Sequence, residues 1–165
     1  MFDTVAGLPL HPLIVHASVV MIPIAAITVL GSALSARFRG WAGPVPLLLT
    51  AASLVLYPIS TESGESLEQV VGHEPLIEKH AELADGLLPW LIVLAVAAVA
   101  VTWCWWRERS ERSEGRDEQD STTGRVVLVA VAALSLVAAI GTGQQVVRIG
   151  HSGAESAWGD TVSGN

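Results

Sequence analysis

An all-α fold is predicted: one membrane domain over residues 1–165, built as a four-helix transmembrane bundle with both termini on the outer side. Apolar residues make up 51% of the chain and are gathered into blocks instead of being spread at amphipathic spacing. Four blocks, near 12–35, 45–65, 86–106 and 126–147, have the length to cross roughly 30 Å of hydrocarbon at about 1.5 Å per residue, and none carries Lys or Arg at its centre. Charge asymmetry supplies the orientation. With four spans, the segments at 36–44 and 107–125 share one side, which holds Arg37, Arg39, Arg107, Arg109, Arg112, Arg116 and Arg125. The other side has only Lys79 and Arg148, so the basic side is read as cytoplasmic and the protein as a multi-pass component of the inner (plasma) membrane.

The first span opens on the stretch LPLHPLIVHASVVMIP, Leu8 to Pro23, which sets His11 and His16 at the mouth of an apolar run. Pro12 suits the first helical position, where its missing N–H would have no partner anyway. No positively charged n-region or small-residue cleavage site accompanies this run, so it is expected to remain as a helix. Pro23 is expected to kink it before the small residues Gly31, Ser32 and Ala33, and Arg37 to Gly43 to form the inner turn. The second span starts near Pro44 and Pro46 and should bend at Pro58, beyond which Glu62 and Glu65, three apart, share a helix face. A solvated helix end accounts for that pair equally simply.

After a turn at Gly72 to Pro75, in which His73 is expected to be solvated, Leu76, Ile77, His80, Leu83, Ala84, Leu87 and Leu88 fall on one stripe. Glu78, Lys79, Glu82 and Asp85 occupy the opposite side, so His80 is expected to point inward, either as a hydrogen-bonded core group or as a ligand. Cys104 stands alone among Trp103, Trp105 and Trp106, which excludes a disulfide framework and reads as a small apolar filler in an aromatic belt. Arginines following these tryptophans anchor the third span, and the charged run from Arg107 to Gly124 reads as a mobile cytoplasmic linker. The fourth span is apolar until Gly141, Thr142, Gly143, Gln144 and Gln145, where small residues permit close helix approach and glutamines serve as hydrogen-bonding glue or cavity lining.

The outer side gathers ten acids against two bases, so the formal charge of −7 is essentially an outward field. Such a field disfavours nucleic acid and attracts a cationic or redox protein. All five histidines also fall on this side. Counted from the inner boundaries, His16 and Glu65 lie near the outer hydrocarbon edge, with Glu62 slightly inside it; His11, His80 and His151 lie roughly 8–9 Å further out, from three different helices. His11, His16, His80 and His151 with Glu62 and Glu65 are therefore the candidate ligand set, expected to act together. Imidazole and carboxylate suit copper, zinc or non-haem iron, whereas a pair of axial histidines suits a b-type haem. A hydrogen-bonded cluster without any ion is the structural alternative.

The opening GLPLHPLIVH, the SGE after the second span, the EKHAELAD of the third and the closing RIGHSGAESAW resemble the bacterial membrane-protein family catalogued as domain of unknown function 2231. The HP-x-x-x-H opening is the most specific part, and the likeness runs over nearly the whole chain. Where many relatives continue with Phe-Pro this chain has Ala17 and Ser18, and their closing Gly-Gly and Leu-Val-Tyr are here Gly153–Ala154 and Ser156–Ala157–Trp158. The histidine positions are unaffected. The resemblance implies four transmembrane helices and, through kinship with small b-type cytochromes, a redox role; it brings no established activity. The expectation is thus a membrane protein with an outward His/Glu site for a metal ion or haem, serving electron transfer or metal handling. Its opposite is a structural or assembly subunit whose histidines only hydrogen-bond. No HExxH or other hydrolase motif occurs, and catalytic residues are not assigned.

Overall fold

The structure, a computed structural model, describes residues 4–5, 8–71, 75–113 and 122–162. Strands β1 (Thr4–Val5) and β2 (Leu8–Pro9) form a two-residue antiparallel ladder ahead of the helices. Then come α1 (Leu10–Leu34), α2 (Ala36–Ala42), α3 (Val45–Val71), α4 (Pro75–Asp85), α5 (Leu87–Ser113) and α6 (Thr122–Val162). Four candidate spans, His11–Leu34, Val45–Gln69, Pro75–Ser113 and Thr122–Glu155, are long and apolar enough to cross a membrane. Exposed Val20, Ile27, Leu48, Val55 and Val129 belong to the apolar outer surface that a lipid bilayer would cover.

Helix α1 packs on α3 and α6, α5 packs on the same two, and α1 meets α5 across the middle. Buried faces explain this arrangement. On α1, Ser18, Ile22, Ala25, Val29 and Ser32 alternate spacings of four and three; on α5, Leu87, Leu91, Leu94, Ala98 and Val101 do the same. A period near 3.5 keeps a single seam facing its neighbours, as bundle packing requires. The small residues Ala25, Ala26, Val29, Ala97 and Ala98 share one core, and Cys104 is buried with them as the filler expected.

Several boundaries differ from the sequence expectation. Helix α3 runs past the expected end of its span to Val71, while Pro23 and Pro58 lie inside α1 and α3 as the sequence expectation has them. The inner turn is itself a short helix, α2, capped by the Ser35 hydroxyl accepting from the Phe38 N–H and closed at Gly43, whose φ of 55° suits glycine. The expected linker begins as helix, since α5 extends to Ser113 with the Arg107–Glu111 pair one turn apart; residues 114–121 lie outside the described residues. Arg107 stacks over Trp103 and Arg109 over Trp105, at 5.7 and 5.9 Å from the ring centroids, so this end carries the aromatic and basic anchors expected of an interface.

The third span breaks at Gly86. Gln145 of α6 donates from Nε2 to the Leu83 carbonyl at 2.5 Å, near the end of α4 where carbonyls lose their helical partners. A Cβ at Gly86 would stand 2.8 Å from that nitrogen, so a glycine permits the approach. The glutamine expected as glue is glue.

Candidate functional site

The end of the bundle opposite α2 repeats one small construction twice. His11, in the first turn of α1, is half-buried against α3, with its Nδ1 3.0 Å from the Ser63 hydroxyl. His80, in α4, is half-buried against α6, with its Nδ1 2.9 Å from the Ser152 hydroxyl. Each serine donates its only proton to a carbonyl three residues back, Ser63 to Ser60 at 2.9 Å and Ser152 to Ile149 at 3.0 Å. A serine oxygen placed so can accept from Nδ1–H of its ring, which is the bond that the Nδ1–H tautomer of His11 and His80 would make. A neutral imidazole has a single N–H, so in that tautomer Nε2 keeps its lone pair.

Glycines make room for the rings. A Cβ at Gly64 would lie 3.1 Å from Cε1 of His11, and one at Gly153 would lie 3.1 Å from Cε1 of His80. A side chain at either position would crowd the imidazole it now faces.

The other candidates stand apart from this pair. His16 is exposed and donates from Nδ1 to the Pro12 carbonyl at 2.5 Å, one turn earlier on its own helix. His151 is exposed, with Nε2 3.3 Å from Glu155, a carboxylate that Lys79 of α4 also approaches at 3.3 Å. Pairs this open to solvent contribute about 0–1 kcal/mol. Glu62 and Glu65 are both exposed, as a solvated helix end would have them, and His73 lies outside the described residues. Among the described residues, no three of His, Cys, Asp and Glu come close enough to hold a metal ion.

His80 is half-buried, as are Ile77, Leu83 and Ala84 of its stripe, with Leu87 buried, and Glu78, Lys79, Glu82 and Asp85 are exposed as expected, whereas Leu76 and Leu88 of the same stripe are exposed too. What the sequence reading passed over is the partner set, Ser63 with Gly64 and Ser152 with Gly153. One signal was available: the dipeptide Ser-Gly recurs at the outer ends of the second and fourth spans, in TESGES and HSGAES.

The family model described as "Predicted membrane protein (DUF2231)" matches residues 7–164. The chain belongs to that family. Within the DUF2231 match lie all four spans and both histidine–serine contacts. No curated protein and no solved structure matches the chain. The family description states a membrane location and no reaction, so the chemistry rests on the geometry above.

Proposed function

We propose that this DUF2231 protein is a membrane electron-transfer component in which His11 and His80 are the ligand pair for a b-type haem. A copper, zinc or iron ion handled by the same nitrogens is the other occupant of the site. One observation carries the reading: two half-buried imidazoles, on α1 and α4, each engage a serine hydroxyl of a neighbouring helix through Nδ1, the arrangement that would leave Nε2 to a ligand. Engagement of the far nitrogen by a hydroxyl or carbonyl is the arrangement that orients a ligating histidine and raises its basicity. The donor chemistry therefore fits a group that takes two imidazole nitrogens, which His11 and His80 would supply. Haem, once held, supplies one-electron exchange; the protein's part is to orient two imidazoles and to shelter them between apolar helices.

The same reading sets the site on the outer face of the plasma membrane, supported by the seven-to-two asymmetry of basic residues. The acidic outer surface favours a cationic redox partner there. A second reading, a structural or assembly subunit, is favoured by the fact that each ring already ties two helices together: His11 joins α1 to α3, and His80 joins α4 to α6.

Absorption spectra of the purified protein, as isolated and after dithionite, with metal analysis, separate the two. Haem or metal content is expected in the parent and is expected to be lost in His11→Ala and His80→Ala, but retained in His16→Ala, His151→Ala and His73→Ala. A folded parent without haem or metal rejects the ligand reading and leaves the structural one.

A further inference from the structure

We infer that the chain is a duplicated helical hairpin in which Ser63 and Ser152 are equivalent positioning residues, each fixing its histidine as the Nδ1–H tautomer so that Nε2 is left free. The word ligand for that nitrogen rests on the proposed function; the duplication and the tautomer do not.

Two registers reveal the duplication. A shift of 69 residues carries His11 onto His80 and carries the buried series Ser18, Ile22, Ala25, Val29 and Ser32 onto Leu87, Leu91, Leu94, Ala98 and Val101, all of them buried. A shift of 89 residues carries Ser63–Gly64 onto Ser152–Gly153 and the fully buried Pro46 and Ser53 onto Ser135 and Thr142. The registers differ by 20 residues because the second hairpin has the longer inner connection. Packing obeys the same operation, which exchanges α1 with α4–α5 and α3 with α6. Both hairpins start at the histidine end, so the repeat is of the parallel kind, related by an axis along the bundle rather than across it.

Chemistry at the two copies agrees closely. Ring-to-hydroxyl distances are 3.0 and 2.9 Å, hydroxyl-to-carbonyl distances 2.9 and 3.0 Å, and the glycine-to-ring approach is 3.1 Å in both. Most other positions have diverged, with Ser18 facing Leu87 in the registers and Pro46 facing Ser135, and besides Ala26 with Ala95 and Leu47 with Leu136 it is His, Ser and Gly that are kept along the paired helices. Packing alone does not demand that. A histidine on a helix end needs no particular tautomer to fill space, whereas an atom required to accept or ligate does. Free histidine prefers the Nε2–H form, so each serine holds its ring in the form that exposes a lone pair at Nε2.

The test uses the full-length protein with 15N-labelled histidine in lipid nanodiscs, with Ser63→Ala, Ser152→Ala, Ser63→Thr and Ser152→Thr variants, and with haem measured in the same preparations. In haem-free protein at alkaline pH, 15N shifts should report Nδ1–H for His11 and His80. Ser63→Ala should move His11 alone toward Nε2–H, Ser152→Ala should move His80 alone, and both threonine variants should restore the parent pattern. In haem-containing protein, each alanine variant should raise the midpoint potential by a similar amount, since loss of the Nδ1 bond lowers ligand basicity, and each threonine variant should return it. Nε2–H signals in the parent, or shifts and potentials unmoved by the alanines, overturn the inference even if haem is present. Tautomers that switch as expected in a protein that holds no haem or metal sustain it while removing the ligand reading.

Discussion

Arg39 enters the sequence as one of seven basic residues that orient the chain, yet in the fold it is 3% exposed. Its Nη1 donates to the Ser32 carbonyl at 2.6 Å, its Nε to Glu108 at 3.1 Å, and its Nη2 to the same carboxylate. The guanidinium therefore ties α2 to the ends of α1 and α5 at the end of the bundle away from the histidines. Arginine suits this place because its fork supplies several donors in one plane. Replacing Arg39 by Met removes the donor to the Ser32 carbonyl and leaves the Glu108 carboxylate with Arg112 alone, 3.7 Å away; breaking a buried pair costs up to about 3–5 kcal/mol. Thermal unfolding in detergent should show that loss, and adding Glu108→Gln should recover part of it. A single variant that melts with the parent would mean that water already carries the pairing. The contrast with His16 is instructive: one turn from His11 in spirit, it is satisfied by its own helix and exposed, so its removal should disturb neither outer contact.

On the scale of elements, glycines of α6 divide by what they meet. A Cβ at Gly141 would fall 2.0 Å from the Trp90 ring, so the indole of α5 sits directly on the glycine backbone. Gly143 and Gly150, on the same helix, have nothing within 4 Å of a Cβ. Gly141→Ala should therefore force α5 and α6 apart or turn the indole out, destabilising by about 1–3 kcal/mol or more. Gly143→Ala and Gly150→Ala should stabilise by roughly 0.4–1 kcal/mol through the lower entropy of the unfolded chain. Melting temperatures of the three variants in one detergent check the sign, and a Gly141→Ala protein as stable as the parent would contradict the Trp90 contact. The third span shows a related economy of parts. Its amphipathic outer section, α4, is separated from the apolar α5 at Gly86 and held by Gln145, which places His80 on α4 against α6.

For the whole molecule, four spans would return both termini to one side, and the distribution of arginine predicts that this side is the outer one. A reporter active only in the cytoplasm should give no signal when fused at Asn165 and a strong one when inserted at Gly115. The reverse pattern would turn the histidine end inward and with it the proposed redox partner. The duplicated hairpin also explains why one end of the bundle carries both imidazoles: each hairpin begins and ends there, so any group built at a hairpin mouth appears twice on the same face.

By itself, the sequence determined the number of spans, the helical class and the inward face of His80. These are properties of short windows, set by whether a segment's own surface suits hydrocarbon and by the period at which its polar residues recur. The family resemblance rested on motifs of the same local kind. Only the tertiary structure decided which partner each group meets. Ser63 lies 52 residues from His11, Ser152 lies 72 from His80, and Glu108 lies 69 from Arg39. No periodicity spans such distances. The pairings arise when buried seams on four helices choose their neighbours and their vertical register, and that choice separates His11 and His80 from His16, His151, Glu62 and Glu65, which residue type and side of the chain alone had grouped together.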